Sequence, residues 1–153
     1  MSNIVYADTN IFLRYLTNEP EGLSEKVSNF FNEMELGKYR LFVCDLVVSE
    51  LVYVLEKVFE IPKKEICEKV KILMLKKNII LENSQIIFKA LEVYRDFNIN
   101  FVDAYIYSHS SNNGVRTLKT NFKTGLKNGV KSVFASMCKL YITETVKRKF
   151  SYY

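Results

Sequence analysis

Three carboxylates in this chain stand where an apolar run gives way to a turn or to the start of a helix: Asp8, Glu50 and Asp103. Asp8 follows Ile4-Val5-Tyr6-Ala7, and Glu50 lies early in the apolar helix pattern after Leu41-Phe42-Val43-Cys44. Asp103 sits in the first turn of a pattern that begins at Phe101, after Asn98-Ile99-Asn100. Carboxylates gathered at one place repel one another, and the usual remedies are a raised pKa or a bound cation. An all-oxygen donor set suits a hard ion, Mg²⁺ or Mn²⁺. Such an ion can activate a water and stabilise charge on a phosphoryl oxygen. Asn10 and Ser49 are the neighbours able to orient a carboxylate or a metal-bound water. Taken singly, each acid has a simpler reading. Asp8 and Asp103 suit the positive end of a helix dipole, and Glu50 suits a solvated helix face. A metal site requires all three together.

The elements that must bring them together can be read from periodicity. Ile4–Ala7 is a short buried strand that turns directly into a helix carrying Ile11, Phe12, Leu13, Tyr15 and Leu16, with Asp8 or Thr9 near the N-cap. Val27, Phe30, Phe31 and Met34 recur at three- and four-residue spacing, which predicts a helix over Leu23–Leu36 with Gly37 just past its end. Leu41–Cys44 is the next strand, and Asp45 is expected to cap the helix that carries Val47, Val48, Leu51, Val52, Val54, Leu55 and Val58. Pro62 fits the first turn of a further helix with Ile66, Val70, Leu73 and Met74 on one face. Ile79-Ile80-Leu81 predicts a strand, Ile86–Phe97 a helix, and Phe101 onward one more helix. Strand and helix alternate throughout, which argues for a parallel sheet covered by helices on both faces. In such sheets ligands bind outside the carboxyl ends of the strands, where acids distant in sequence can converge. Weaker patterns follow: Val115–Leu118 and Val130–Ala135 as strands, and Tyr141–Phe150 as a helix or frayed end.

Composition sets the outer limits. With 153 residues, 48% hydrophobic and 25% charged, the chain has the length and balance of one globular domain. No apolar run approaches the roughly 18 residues of a membrane span. Met-Ser-Asn-Ile-Val-Tyr-Ala-Asp lacks the basic and apolar regions of a signal peptide, so a cytoplasmic address is expected. Cys44, Cys67 and Cys138 have neither disulfide nor zinc spacing and are expected to be reduced thiols. The net charge of +5 is unevenly spread. From Gly114 onward Arg116, Lys119, Lys123, Lys127, Lys131, Lys139, Lys147, Arg148 and Lys149 face a single acid, Glu144. A basic segment of this kind concentrates polyanions and supplies salt-dependent phosphate contacts, or else is simply a solvated tail. The lone His109 follows Asp103 on a different helical face, and Tyr105 and Tyr107 read as packing residues. No glycine-rich phosphate loop is present.

At three places the chain resembles a known family. Ile-Val-Tyr-Ala-Asp-Thr-Asn-Ile-Phe-Leu-Arg-Tyr-Leu, residues 4–16, is similar to the opening of PIN-domain proteins, and among them of VapC-type toxins. Val-Val-Ser-Glu-Leu at 47–51 is similar to their second motif, and Asn-Phe-Val-Asp-Ala at 100–104 to their third. The resemblance runs from about residue 3 to 118, in order and in spacing. It implies a three-layer α/β/α PIN-like domain over residues 1–135, with a central parallel sheet of four to five strands and a basic C-terminal helix or tail over 136–153. It also implies an acidic pocket of Asp8, Glu50 and Asp103 holding Mg²⁺ or Mn²⁺, with Asn10, Ser49 and Thr117 around it. The activity implied is that of a metal-dependent endoribonuclease, the toxin of a type II toxin–antitoxin system. Its partners would be an RNA substrate, a cognate antitoxin and, as a homodimer, a second copy.

The chain departs from the family pattern at the fourth motif. Where PIN proteins usually carry Thr-Phe-Asp-x-Asp-Phe, this chain reads Thr117-Leu118-Lys119-Thr120-Asn121-Phe122, so Lys119 and Asn121 stand at the two acidic places. Asn100 stands where many members carry an acid before Asp103. A lysine about 4 Å from a cation meets a repulsion of several kcal/mol, which favours one ion on three acids over a two-metal site. Two other readings follow: a catalytically impaired PIN-fold protein that binds RNA or a partner, and a phosphatase using Asp8 as nucleophile. The phosphatase would want an acid where Asn10 stands. A shifted reading frame would also explain the abrupt loss of acids after Gly114.

Overall fold

A computed structural model describes residues 3–17 and 21–114. The elements run β1 (Asn3–Tyr6), α1 (Thr9–Thr17), α2 (Glu21–Glu35), β2 (Tyr39–Val43), α3 (Asp45–Lys57), α4 (Lys63–Met74), β3 (Ile79–Leu81), α5 (Ser84–Asp96) and α6 (Phe101–Asn112). The described residues all belong to one compact unit, Met1–Thr117. No helix among them is long and apolar enough to cross a membrane.

The sheet is parallel, in the order β1-β2-β3, with Val5 opposite Leu41 and Leu41 opposite Ile79. Each pair of neighbouring strands is joined through two helices, the crossover that parallel pairing requires. The fold is therefore α/β, as the alternation of patterns implies. Three strands are seen among the described residues, not the four or five expected. The predicted strands at 115–118 and 130–135, the predicted helix at 141–150 and the expected boundary at 135 lie outside the described residues.

The helices form where apolar spacing demands them. α3 buries Val48, Leu51, Val52, Val54 and Leu55, and α4 buries Ile66, Val70, Leu73 and Met74. From α2 come Val27, Phe31 and Met34, with Phe31 lying against Phe12 of α1 and Phe30 stacked on Tyr39 at 5.6 Å. Gly37 adopts φ +88° just past α2, where its N–H takes the Met34 carbonyl at 2.9 Å. That is the left-handed helix stop expected of it. Cys67 is buried with Sγ 3.2 Å from the Leu91 carbonyl, and burial pushes its thiol up to about 11.

Two expectations change. α3 ends at Lys57, so Val58 is in the turn and 55% exposed rather than part of the apolar face. β1 is not buried: Ile4 is 56% and Tyr6 76% exposed, and only Ala7 beyond the strand is covered. β1 has a neighbour on one side alone among the described residues, and an edge strand lacks the flanking side chains that cover a central one.

Candidate functional site

The site is built at the carboxyl ends of β1 and β2. Asp8 leaves β1 and precedes α1 directly. Its Oδ1 accepts the backbone N–H of Asn10 at 3.3 Å, and the Asn10 amide lies 3.3 Å from Oδ2. Asn10 therefore holds the Asp8 carboxylate. The next residue, Thr9, is only 3% exposed, and its hydroxyl donates to Glu50 Oε2 at 2.6 Å. This bond spans α1 and α3 and ties Glu50 to the residue that follows Asp8.

Sequence reasoning treated Thr9 only as a possible helix cap. The available signal was a hydroxyl adjacent to a strand-end acid, but its partner lies 41 residues away. Ser49, offered for the same role, is half-buried on α3, and the hydroxyl that reaches Glu50 is that of Thr9. Thr117, Lys119 and Asn121 lie outside the described residues.

Asp103 stands in the first turn of α6. Asn100 caps that helix: its Oδ1 accepts the Asp103 N–H at 2.8 Å, and its amide donates to Asp103 Oδ2 at 2.5 Å. The residue that replaces an acid of the family pattern is thus the partner of the acid that follows it. The preceding loop is tied down by Lys63, which donates to the Ile99 carbonyl and lies over the Tyr94 ring at 4.5 Å. Asp8, Glu50 and Asp103 are all exposed and open to solvent.

Among the described residues no group of three His, Cys, Asp or Glu side chains is placed to hold a metal ion. Asp8 and Glu50 are linked through Thr9, while Asp103 is held separately by Asn100. Two carboxylates with waters in the remaining positions are nonetheless a donor set that suits Mg²⁺, which keeps much of its hydration. His109 lies further along α6 than Asp103. Its ring lies 5.9 Å from that of Tyr105, and its carbonyl accepts from the Asn113 amide at 3.0 Å.

Asp45 behaves differently from expectation. It does not cap α3 with its side chain but is the first helical residue, and Cys44 occupies the cap position without a side-chain bond. The Asp45 carboxylate accepts from Asn83 Nδ2 at 2.6 Å and from the Tyr105 hydroxyl at 2.5 Å. Burial and then this contact push the Tyr105 phenol well above its usual range, so it stays a protonated donor.

The PIN domain family model matches residues 5–121, which include the end of β1, the Asp8-Thr9 turn, Glu50 and Asp103. The chain belongs to the PIN-domain family. That family has a three-layer α/β/α architecture, and the described parallel strands and six helices belong to it. Among curated proteins the chain is similar to the VapC ribonuclease of Aquifex aeolicus (strain VF5). The two are 27% identical over 126 residues, which cover 82% of this chain and 93% of the relative.

Proposed function

We propose that this PIN domain is a divalent-metal-dependent endoribonuclease, the toxin of a type II toxin–antitoxin pair. The observation that carries the reading is the Thr9–Glu50 hydrogen bond, which joins the first two family motifs at the sheet's carboxyl edge. The similarity to a VapC ribonuclease over most of both chains supports RNA as substrate and a cognate antitoxin as partner. Asp8 and Glu50 would hold Mg²⁺ or Mn²⁺, with Asp103 the third acid. Bound there, the ion would supply an activated water and stabilise charge on the phosphoryl oxygen. Asn10 orients the Asp8 carboxylate, Thr9 orients Glu50, and Asn100 holds one oxygen of Asp103. The basic run from Arg116 to Lys149 draws the polyanion in, and weakens in its effect as salt rises. Such a toxin acts in the cytoplasm, and a homodimer is the assembly in keeping with the family.

The test is cleavage of single-stranded and structured RNA by the purified full chain, with Mg²⁺ or Mn²⁺ and with chelator. Asp8→Asn should lower the rate by at least about 100-fold, since even residues that only support metal ligands contribute 10- to 100-fold. Cleavage indifferent to both chelator and this substitution would sink the metal reading.

A second reading has its own observation. Lys119 and Asn121 replace two acids of the fourth motif, which favours a PIN fold that binds RNA or a partner without cutting. RNA retention without cleavage by wild type, with cleavage gained in Lys119→Asp, would decide for it.

A further inference from the structure

Lys63 opens α4, and its place there runs against local preference. A cation in the first turn of a helix faces the positive end of the dipole. Its neighbour Lys64 is exposed and can extend into water, but Lys63 is half-buried. Its ammonium lies 4.5 Å over the Tyr94 ring of α5 and donates to the Ile99 carbonyl, 36 residues away. Fixing so flexible a side chain costs rotamer entropy, so these contacts need an explanation.

The segment between α5 and α6 supplies one. Its backbone bonds lie at its two ends: the Phe97 N–H takes the Val93 carbonyl, and the Asn100 carbonyl takes the Ala104 N–H. Asn100, the cap of α6, has both functions of its side chain on Asp103. The residues on either side of Asn100 are held from outside the segment. Lys63 takes the Ile99 carbonyl, and the Tyr94 ring meets Phe101 edge-on at 5.8 Å. Tyr94 is fully buried, and its hydroxyl donates to Glu56 Oε2 at 2.8 Å, so the ring beneath Lys63 is itself fixed from α3. A peptide unit is planar, so the Ile99 carbonyl and the Asn100 N–H turn together. A donor that fixes that carbonyl fixes how the chain enters Asn100. The capping bond needs that backbone in its extended, non-helical form, here φ −76° and ψ 161°. An ammonium donor makes the tie stronger than a neutral one would.

We propose that Lys63 is a positioning residue: by holding the Ile99 carbonyl it sets Asn100 as the cap of α6, and through that cap it orients the Asp103 carboxylate. The proposal rests on the reading of Asp103 as an acid of a ribonuclease site, so the experiment reads the cap and RNA cleavage separately. Amide hydrogen exchange is followed in the full chain and in its Lys63→Met, Lys63→Arg and Lys64→Met variants. RNA cleavage with Mn²⁺ is measured in the same set, in Asp103→Asn and in the Lys63→Met/Asp103→Asn double variant.

Lys63→Met keeps an aliphatic stem on Tyr94 and removes the donor. It should speed exchange of the Asp103 amide about fivefold or more, as loss of a hydrogen bond does, and leave Leu51 and Val52 of α3 unchanged. It should also lower kcat about tenfold with little change in KM, because a small misplacement at a site is felt in the chemical step. Lys63→Arg retains a charged donor and should restore most of both, and Lys64→Met should match wild type. In the double variant the two losses in kcat should fail to add, because both act through Asp103. Lys63→Gln carries the comparison if Lys63→Met does not fold. Unchanged exchange at Asp103, or equal acceleration at Asp103 and Leu51, would overturn the inference, as would strict additivity with Asp103→Asn. A wild type that cleaves no RNA would overturn the ribonuclease reading instead, while the exchange comparison still decides whether Lys63 sets the cap.

Discussion

α3 and α6 each carry an acid of the proposed site, yet their exposed and buried faces are divided differently. α3 buries Val48, Leu51, Val52 and Leu55 completely. α6 covers Phe101, Ala104 and Ser108 and leaves Ile106 49% and Tyr107 46% exposed. Glu50 therefore rides on a helix fixed by apolar area, and Thr9 trims only the orientation of its side chain. Asp103 rides on a helix that lies mainly against α5 and whose first turns also carry polar ties: the Asn100 cap, the Tyr105 hydroxyl on Asp45, and the Lys63 tie to the loop before it.

Substitutions can break this contrast, beginning with the largest effect. Leu51→Ala should destabilise the fold by about 2–5 kcal/mol, the range for truncating a fully buried leucine, measured by urea unfolding. A smaller loss would mean that α3 is not the anchored helix. Thr9→Val preserves shape but removes the donor to Glu50. It should cost about 1 kcal/mol in the same measurement, and weaken Mn²⁺ binding by about tenfold. Unchanged Mn²⁺ affinity would show that Glu50 is oriented by its helix alone. On α6, Ile106→Ser should move stability by no more than about 0.5 kcal/mol. A loss of several kcal/mol there would show that the exposed face of α6 is covered in solution.

The acid limb of the stability curve gives a subtler test, on the α3 side. Burial opposes ionisation of Glu56, but its bonds with Lys57 and Tyr94 outweigh it and hold the carboxyl below the ordinary 4.5. The folded protein then binds fewer protons than the unfolded chain as pH falls through that range. Glu56's contribution is full above about pH 4.5 and is lost as pH drops through the folded value. Glu56→Gln should flatten that limb of a urea-midpoint curve, and an unchanged slope would remove Glu56 from the account.

The difference between the helices also decides what could be read in advance. α3 and α4 were legible because Val48, Leu51, Val52 and Leu55, and Ile66, Val70 and Leu73, repeat at helical spacing. α6 was legible in its start, through Asn100 and Phe101, but not in its mounting. Asp45 looks like a helix cap to any local reading, since acids at that place commonly are. Its partners, Asn83 and Tyr105, lie 38 and 60 residues away. Thr9 does open α1, as its place at a strand–helix junction implies, but its distant partner leaves no spacing signature. The exposure of β1 could not be foreseen either. An apolar run shows that a strand can be buried, not which neighbours are there to bury it.

By itself, then, the sequence determined the order and kind of the elements, the left-handed stop at Gly37, and the strand-end and helix-start positions of Asp8, Glu50 and Asp103. Periodicity, capping and turn chemistry act over a few residues, and each is written locally. Only the tertiary structure decided that Glu50 meets Thr9, and that Asp45 of α3 takes the Asn83 amide and the Tyr105 hydroxyl of α6. Those bonds join side chains whose elements are brought together by burial of the core. Burial selects faces by apolar area, while the polar partners across a seam are settled only when the faces have met.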